Sequence, residues 1–339
     1  MAETEKKPKE LLLLVFIHGF RGSDTTFKDF PNRLKTVSPF KNVETVIYPR
    51  YKTAGDFSLA VRNLVDWLKE QVKQRESAAE TIEIVLLGHS MGGLVSGEAI
   101  LEVQRRGSSA LGNAALLGLV AYDTPFYSVN HRFVSTTALS HAEVLTRNIN
   151  RFWPNNSTAA SATARSVAAE PKQIGWTGSG ASSSTVTPTT TKKSSFGWGM
   201  LAGVAGVAAA GAVAYMAKDK ISSSVTDVYD HLEFVSTLMD FEGCRERVRK
   251  LAALPDVYFK CFYAQLPRED NISTDPRTFI ALPPPETAHL FVPVPSNAEN
   301  EIDAHTSMFH PLKNEHYYTL GLDTMSIISE MVARHRRRT

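Results

Sequence analysis

Seven consecutive apolar residues, 11–17 (LLLLVFI), form the first strong pattern in the chain. A run without polar alternation is what a strand covered on both faces of a parallel sheet requires. Residues 43–48 are rich in β-formers and stop at Pro49. Phe57, Val61, Leu64, Val65, Leu68 and Val72 then recur at helical spacing, so 56–74 reads as an amphipathic helix. A second apolar run, 82–87, ends at Gly88; 94–105 reads as a helix and 114–122 as another buried strand. Strands alternating with helices predict βαβ units and a parallel sheet.

That regularity stops near residue 125. Between Asn156 and Ser195, 17 of 40 residues are Ser or Thr. Such a tract buries too little apolar area to offset its ordering entropy and reads as a disordered linker. Residues 196–217 follow, 22 positions without a charge, mostly Ala, Gly and Val. As a helix this stretch would be about 33 Å long, enough to cross a bilayer core. Gly199 and Gly203 have the G-x-x-x-G spacing of membrane helix contacts, and Lys192, Lys193, Lys218 and Lys220 flank both ends. Further on, 232–239 and 317–334 read as helices, the latter with Leu320, Met325, Ile328 and Met331 on one face. Residues 257–264 and 278–282 read as strands.

Gly88-His89-Ser90-Met91-Gly92 is a G-x-S-x-G sequence between a strand and a helix. This is the setting of a nucleophile elbow, a tight turn that lifts a serine above the carboxyl edge of a sheet. Glycines on either side relieve the crowding of that turn, and the helix N-terminus favours developing negative charge. Residues 11–17 end in His18-Gly19-Phe20, a loop placed to supply one oxyanion-hole amide. The amides of Phe20 and Met91 are the expected donors. His18 and His89, inside these motifs, read as packing or hydrogen-bonding residues.

The chain resembles α/β-hydrolases of the serine esterase, lipase-like kind, most nearly their fungal members. The stretches that carry the resemblance are IHGFRGSDTTFKDFP (17–31), YPRYKTAGDF (48–57), LLGHSMGGLVSGEAIL (86–101), YDTPFYSVN (122–130) and AHTSMFHPLKNEHYYTLG (304–321). GPI inositol deacylases share the elbow and oxyanion strand more distantly. The resemblance implies an α/β-hydrolase fold: a mostly parallel sheet of about six strands, with an insertion between the sixth and seventh strand positions of the fold, where lipases carry lids. It also implies a serine hydrolase mechanism and an ester or lipid substrate.

A serine nucleophile needs a base, and the base needs an orienting acid; in this fold they follow the serine in the order acid, then histidine. His305, His310, His316 and His335 lie late enough in the chain. His335 falls in a basic tail and His316 at a helix start. His305, in a polar loop where the resembling family keeps a histidine, is the leading candidate, and His310 the alternative. For the acid, Asp123 at the end of the 114–122 strand is the leading candidate, and Asp270, with Glu269 beside it after the next strand, is the alternative. Asp303 is too near His305 in sequence to orient its ring.

The expected organisation is one hydrolase domain with an insertion: a tail (1–10), a first core part (11–155), the linker (156–195), the apolar segment (196–217) and a second core part (218–339). A single membrane crossing at 196–217 would leave Ser90 and His305 on opposite sides. The segment is therefore a lid or interfacial anchor, a buried helix, or a span of some other form.

Composition narrows the reading. Net charge is +2, from 37 basic and 35 acidic residues, which excludes the basic excess that drives nucleic-acid binding. Cys244 and Cys261 are too few for a disulfide framework and too isolated for a metal site. No cofactor or metal is expected. No small-residue cleavage site follows 11–17, so an intracellular, non-secreted protein is expected, associated with an organelle membrane or lipid surface. The sequons at Asn155, Asn156 and Asn271 then have no role. Gly22-Ser23-Asp24 reads as a helix start, and 334–338 as a solvated basic end. The alternatives to an esterase are an amidase, an acyltransferase, a GPI-inositol-deacylase-like enzyme, or a silent hydrolase fold serving as a membrane-associated binding protein.

Overall fold

The computed structural model describes residues 10–19, 22–51, 56–130, 241–268 and 276–338. The elements follow as β1 Glu10–Ile17, α1 Phe30–Val37, β2 Val43–Ile47, α2 Phe57–Lys73, β3 Thr81–His89, α3 Met91–Arg106 and β4 Ala114–Tyr122. After residue 240 come α4 Phe241–Ala253, β5 Tyr258–Leu266, β6 Arg277–Thr278, β7 Phe291–Pro295, α5 Glu301–Ser307 and α6 Tyr317–Arg336.

Seven strands form one sheet among the described residues. Parallel pairing runs β2-β1-β3-β4-β5-β7, and the two-residue β6 pairs antiparallel with the end of β5. This is the α/β-hydrolase fold. The chain leaves β1 toward β2 and returns on the other side of β1 as β3. Strand order thus reverses at β1 and β3, and open parallel sheets bind ligands at the carboxyl ends of such a pair.

Two apolar layers explain the unbroken runs. Leu13, Val15 and Ile17 of β1 join Ile82, Ile84 and Leu86 of β3 beneath α2, α3 and α4, with Leu64, Leu68, Ile100 and Leu251. Leu12, Leu14 and Phe16 face the other way and join Val85, Leu87, Val120 and Tyr122 under α1 and α6, with Phe30, Leu34, Leu320 and Ile328. Each strand needs apolar side chains on both faces, so it cannot alternate. At the foot of β3 the fully buried Glu83 takes two hydrogen bonds from Arg336, at 2.8 and 2.7 Å, tying the end of α6 to the sheet.

Several expectations change. The 94–105 helix begins three residues earlier, directly after Ser90. The 278–282 strand shrinks to β6, with Ile280 in an isolated bridge to Val129. Gly22-Ser23-Asp24 leads into successive turns, and helix starts only at Phe30, with Pro31 in its first turn. β7 was hidden by Pro293 and Pro295, which lack ladder donors and fit a sheet edge. The linker 156–195, the apolar segment 196–217 and the 232–239 helix lie outside the described residues. Among the described residues no helix is long and apolar enough to cross a membrane.

Candidate active site

Ser90 sits between β3 and α3 with φ 55° and ψ −131°, a left-handed conformation strained for a residue with a Cβ. The flanking glycines allow it. A Cβ on Gly88 would lie 2.5 Å from Gly93 Cα, and one on Gly92 would run into the Ile17 carbonyl oxygen of β1. The elbow is thus packed against the β1 end, where Gly19 lies so close that a Cβ there would be 2.6 Å from Ser90 Cβ. Met91 is the first residue of α3, and its amide is one of the helix N–H groups without an intrahelical acceptor.

Asp123 follows β4 and also has a left-handed backbone, φ 47°. Its amide donates to the Phe262 carbonyl at 2.6 Å and its Oδ1 accepts from the Ala264 amide at 3.1 Å. The carboxylate is fully buried and held by β5 on one side. Its Oδ2 is 2.7 Å from His305 Nδ1. A carboxylate only accepts, so Nδ1 carries the proton and Nε2 is left with a lone pair. His305 Nε2 stands 3.0 Å from Ser90 Oγ. Ser90, His305 and Asp123 therefore form one hydrogen-bonded relay across the ends of β3, α5 and β4.

His305 lies in the last turn of α5 rather than in a polar loop. Asn300 caps that helix, its Oδ1 accepting from the Asp303 amide at 2.9 Å while its Nδ2 donates to Asp303 Oδ2 at 2.7 Å. Asp303 is thereby occupied with the cap. Phe279 stacks on the His305 ring with centroids 3.9 Å apart, and the His89 ring is 4.7 Å away. His89 Nε2 donates to the His305 carbonyl at 3.1 Å. Burial holds His89 well below its ordinary pKa, with the nearby His305 adding to the effect.

The β1 end is braced as well. Tyr51 Oη donates to the His18 carbonyl at 2.9 Å, and its ring stacks on that of His18 at 5.0 Å. His18 Nδ1 bonds the Gly19 carbonyl at 3.1 Å, and the Gly22 amide donates to the same carbonyl at 3.0 Å. Burial lowers the pKa of His18 too. Phe20 lies outside the described residues, as do Asp270 and Glu269.

The remaining histidine candidates are elsewhere. His310 Nδ1 accepts from the Leu312 amide, His316 precedes α6, and His335 is in the last turn of α6. Sequence reasoning gave no role to Tyr51 or Phe279. Tyr51 stood within a resembling stretch, whereas nothing in the pattern around Phe279 marked it. No cluster of three or more metal-ligating side chains occurs among the described residues.

A family model described as "Putative serine esterase (DUF676)" matches residues 7–144. That stretch runs from β1 through β4; it contains Ser90 and Asp123 and stops short of His305. A carboxylesterase from the thaumarchaeon Nitrososphaera gargenis is 10% identical, covering 94% of this chain and 92% of its own, with a TM-score of 0.39. A cutinase-like protein from Cryptococcus sp. is 17% identical over 38% of this chain, with a TM-score of 0.25. Phospholipase PlaB from Legionella pneumophila is 14% identical over 35% of this chain, with a TM-score of 0.27. The chain spans 26% of the phospholipase and 58% of the cutinase-like protein. No curated protein matches this sequence.

Proposed function

We propose that the protein is a serine hydrolase of carboxylic esters that works through an acyl-enzyme on Ser90. The observation that carries this reading is the relay itself: Ser90 Oγ to His305 Nε2 at 3.0 Å and His305 Nδ1 to Asp123 Oδ2 at 2.7 Å. His305 takes the hydroxyl proton as Ser90 attacks the ester carbonyl. Asp123 fixes the tautomer and stabilises the imidazolium that forms. The amides of Met91 and Phe20 hold the oxyanion. His305 then returns the proton to the leaving alkoxide, which departs as an alcohol. Water, losing a proton to His305, attacks the acyl-enzyme; the acid leaves as His305 returns that proton to Ser90 Oγ.

A lipid ester is the substrate class that the lipase-like resemblance favours. We take 11–155 and 218–339 as two parts of one hydrolase domain, with 156–195 as a linker. Intracellular placement at an organelle membrane, with 196–217 as the contact, rests on the sequence alone. The test is hydrolysis of p-nitrophenyl esters of increasing acyl length by the full chain and by Ser90→Ala. Turnover that disappears in Ser90→Ala supports the reading; turnover that persists at the same rate overturns it. Protease protection of a tagged C-terminus in intact organelles tests the membrane placement separately.

A further inference from the structure

The residue before the nucleophile is tied to the residue that carries the base. Two hydrogen bonds link the same pair of segments: Ser90 Oγ to the His305 ring at 3.0 Å, and His89 Nε2 to the His305 carbonyl at 3.1 Å. We propose that His89 is a positioning residue that sets the distance between nucleophile and base by gripping the His305 backbone. The inference rests on the assignment of Ser90 and His305 given above.

The physical need comes from the length of α5. It has seven residues, Glu301–Ser307, too short to hold its own final turn firmly. The last four carbonyls of a helix have no intrahelical donor, and that of His305 is among them. His89 supplies the missing donor from the end of β3, a strand paired on both sides with β1 and β4. The base thus hangs from an inner strand of the sheet. Its ring lies between His89 and Phe279, at 4.7 and 3.9 Å, and its Nδ1 is on Asp123, which leaves little freedom to turn away from Ser90.

The chemistry sets the form of His89. A carbonyl only accepts, so Nε2 must carry the proton. Burial keeps the ring neutral, which removes a second positive charge from beside the imidazolium formed in the reaction. A side chain with an N–H at the same reach would serve in its place; an apolar ring would not. Phe309 packs edge-on against His89 at 5.4 Å and fixes the ring plane.

The test compares His89→Phe, which keeps a ring and loses the donor, with His89→Gln, which keeps an N–H near the Nε2 position. Steady-state hydrolysis of a p-nitrophenyl ester gives kcat and KM, and thermal melting checks folding. His89→Phe is expected to lower kcat by about 10- to 100-fold, the effect of misplacing a reacting group by an ångström or less. KM should stay within about twofold, and His89→Gln should recover at least half of the loss on a logarithmic scale. A wild-type kcat in His89→Phe overturns the proposal, as do equal losses in both variants. Activity retained in Ser90→Ala marks instead a failure of the underlying assignment. A measurement on the unaltered protein covers the case in which His89→Phe does not fold. Nitrogen-15 histidine spectra at pH 8 should show His89 as the neutral Nε2–H tautomer; an Nδ1–H tautomer refutes the grip.

Discussion

Asp123 Oδ2 and His305 Nδ1 meet at 2.7 Å across 182 residues of sequence, and both groups are buried. The carboxylate owes its place to a left-handed turn after β4 and to the Ala264 amide of β5, which holds its other oxygen. Asp123→Asn keeps that shape but lets the amide favour the wrong tautomer of His305. The expected result is a fall in kcat of about 10³–10⁴, measured on a p-nitrophenyl ester, with the fold retained. Asp270→Asn, the rival position from the sequence, should leave kcat within about threefold.

The pH dependence of stability follows from His89 and His18. Both are held below their ordinary value of 6.5 by burial, so they stay neutral in the folded chain while the unfolded chain takes up protons. The unfolded state binds more protons below pH 6.5, and stability therefore falls as pH drops from 6.5 toward the depressed folded values. Each such group contributes at most about 1.4 kcal/mol per pH unit in that window. Melting temperature should decline between pH 6.5 and 5, and His89→Gln should flatten that decline. An unchanged slope in the variant would remove His89 as its source.

Gly92 leaves no room for a side chain in the elbow. A methyl group there meets the Ile17 carbonyl of β1, backbone that cannot yield without shifting a central strand. Gly92→Ala should cost about 1–3 kcal/mol in denaturant unfolding, the usual range for overpacking a core. It should also lower turnover by displacing Ser90 from His305.

Glu83 and Arg336 join the sheet to the terminal helix far from the relay. Removing Arg336 leaves a fully buried carboxylate without its two charged hydrogen bonds. Arg336→Leu should destabilise the fold by about 2–3 kcal/mol, while KM for esters remains at its wild-type value.

What the sequence disclosed follows from how local each signal is. The elbow was readable because glycine spacing, strand and helix all lie within about twenty residues. The strands of the first half were readable because burial on both faces leaves an unbroken apolar run. Asp123 led Asp270 by little, because each follows a buried strand and only the sheet order shows what lies beside His305. α5 escaped notice because seven residues are under two full turns, too few to show a period. β7 was masked by its two prolines. The grip of His89 on His305 spans 216 residues and leaves no trace in either local pattern.

The most direct test of the account is reaction of the full chain with a fluorophosphonate, followed by peptide mapping of the adduct. One phosphonyl group per chain is expected, attached to Ser90, with labelling abolished in Ser90→Ala and strongly slowed in His305→Ala. An adduct on another residue, or no adduct on a folded protein, would contradict it.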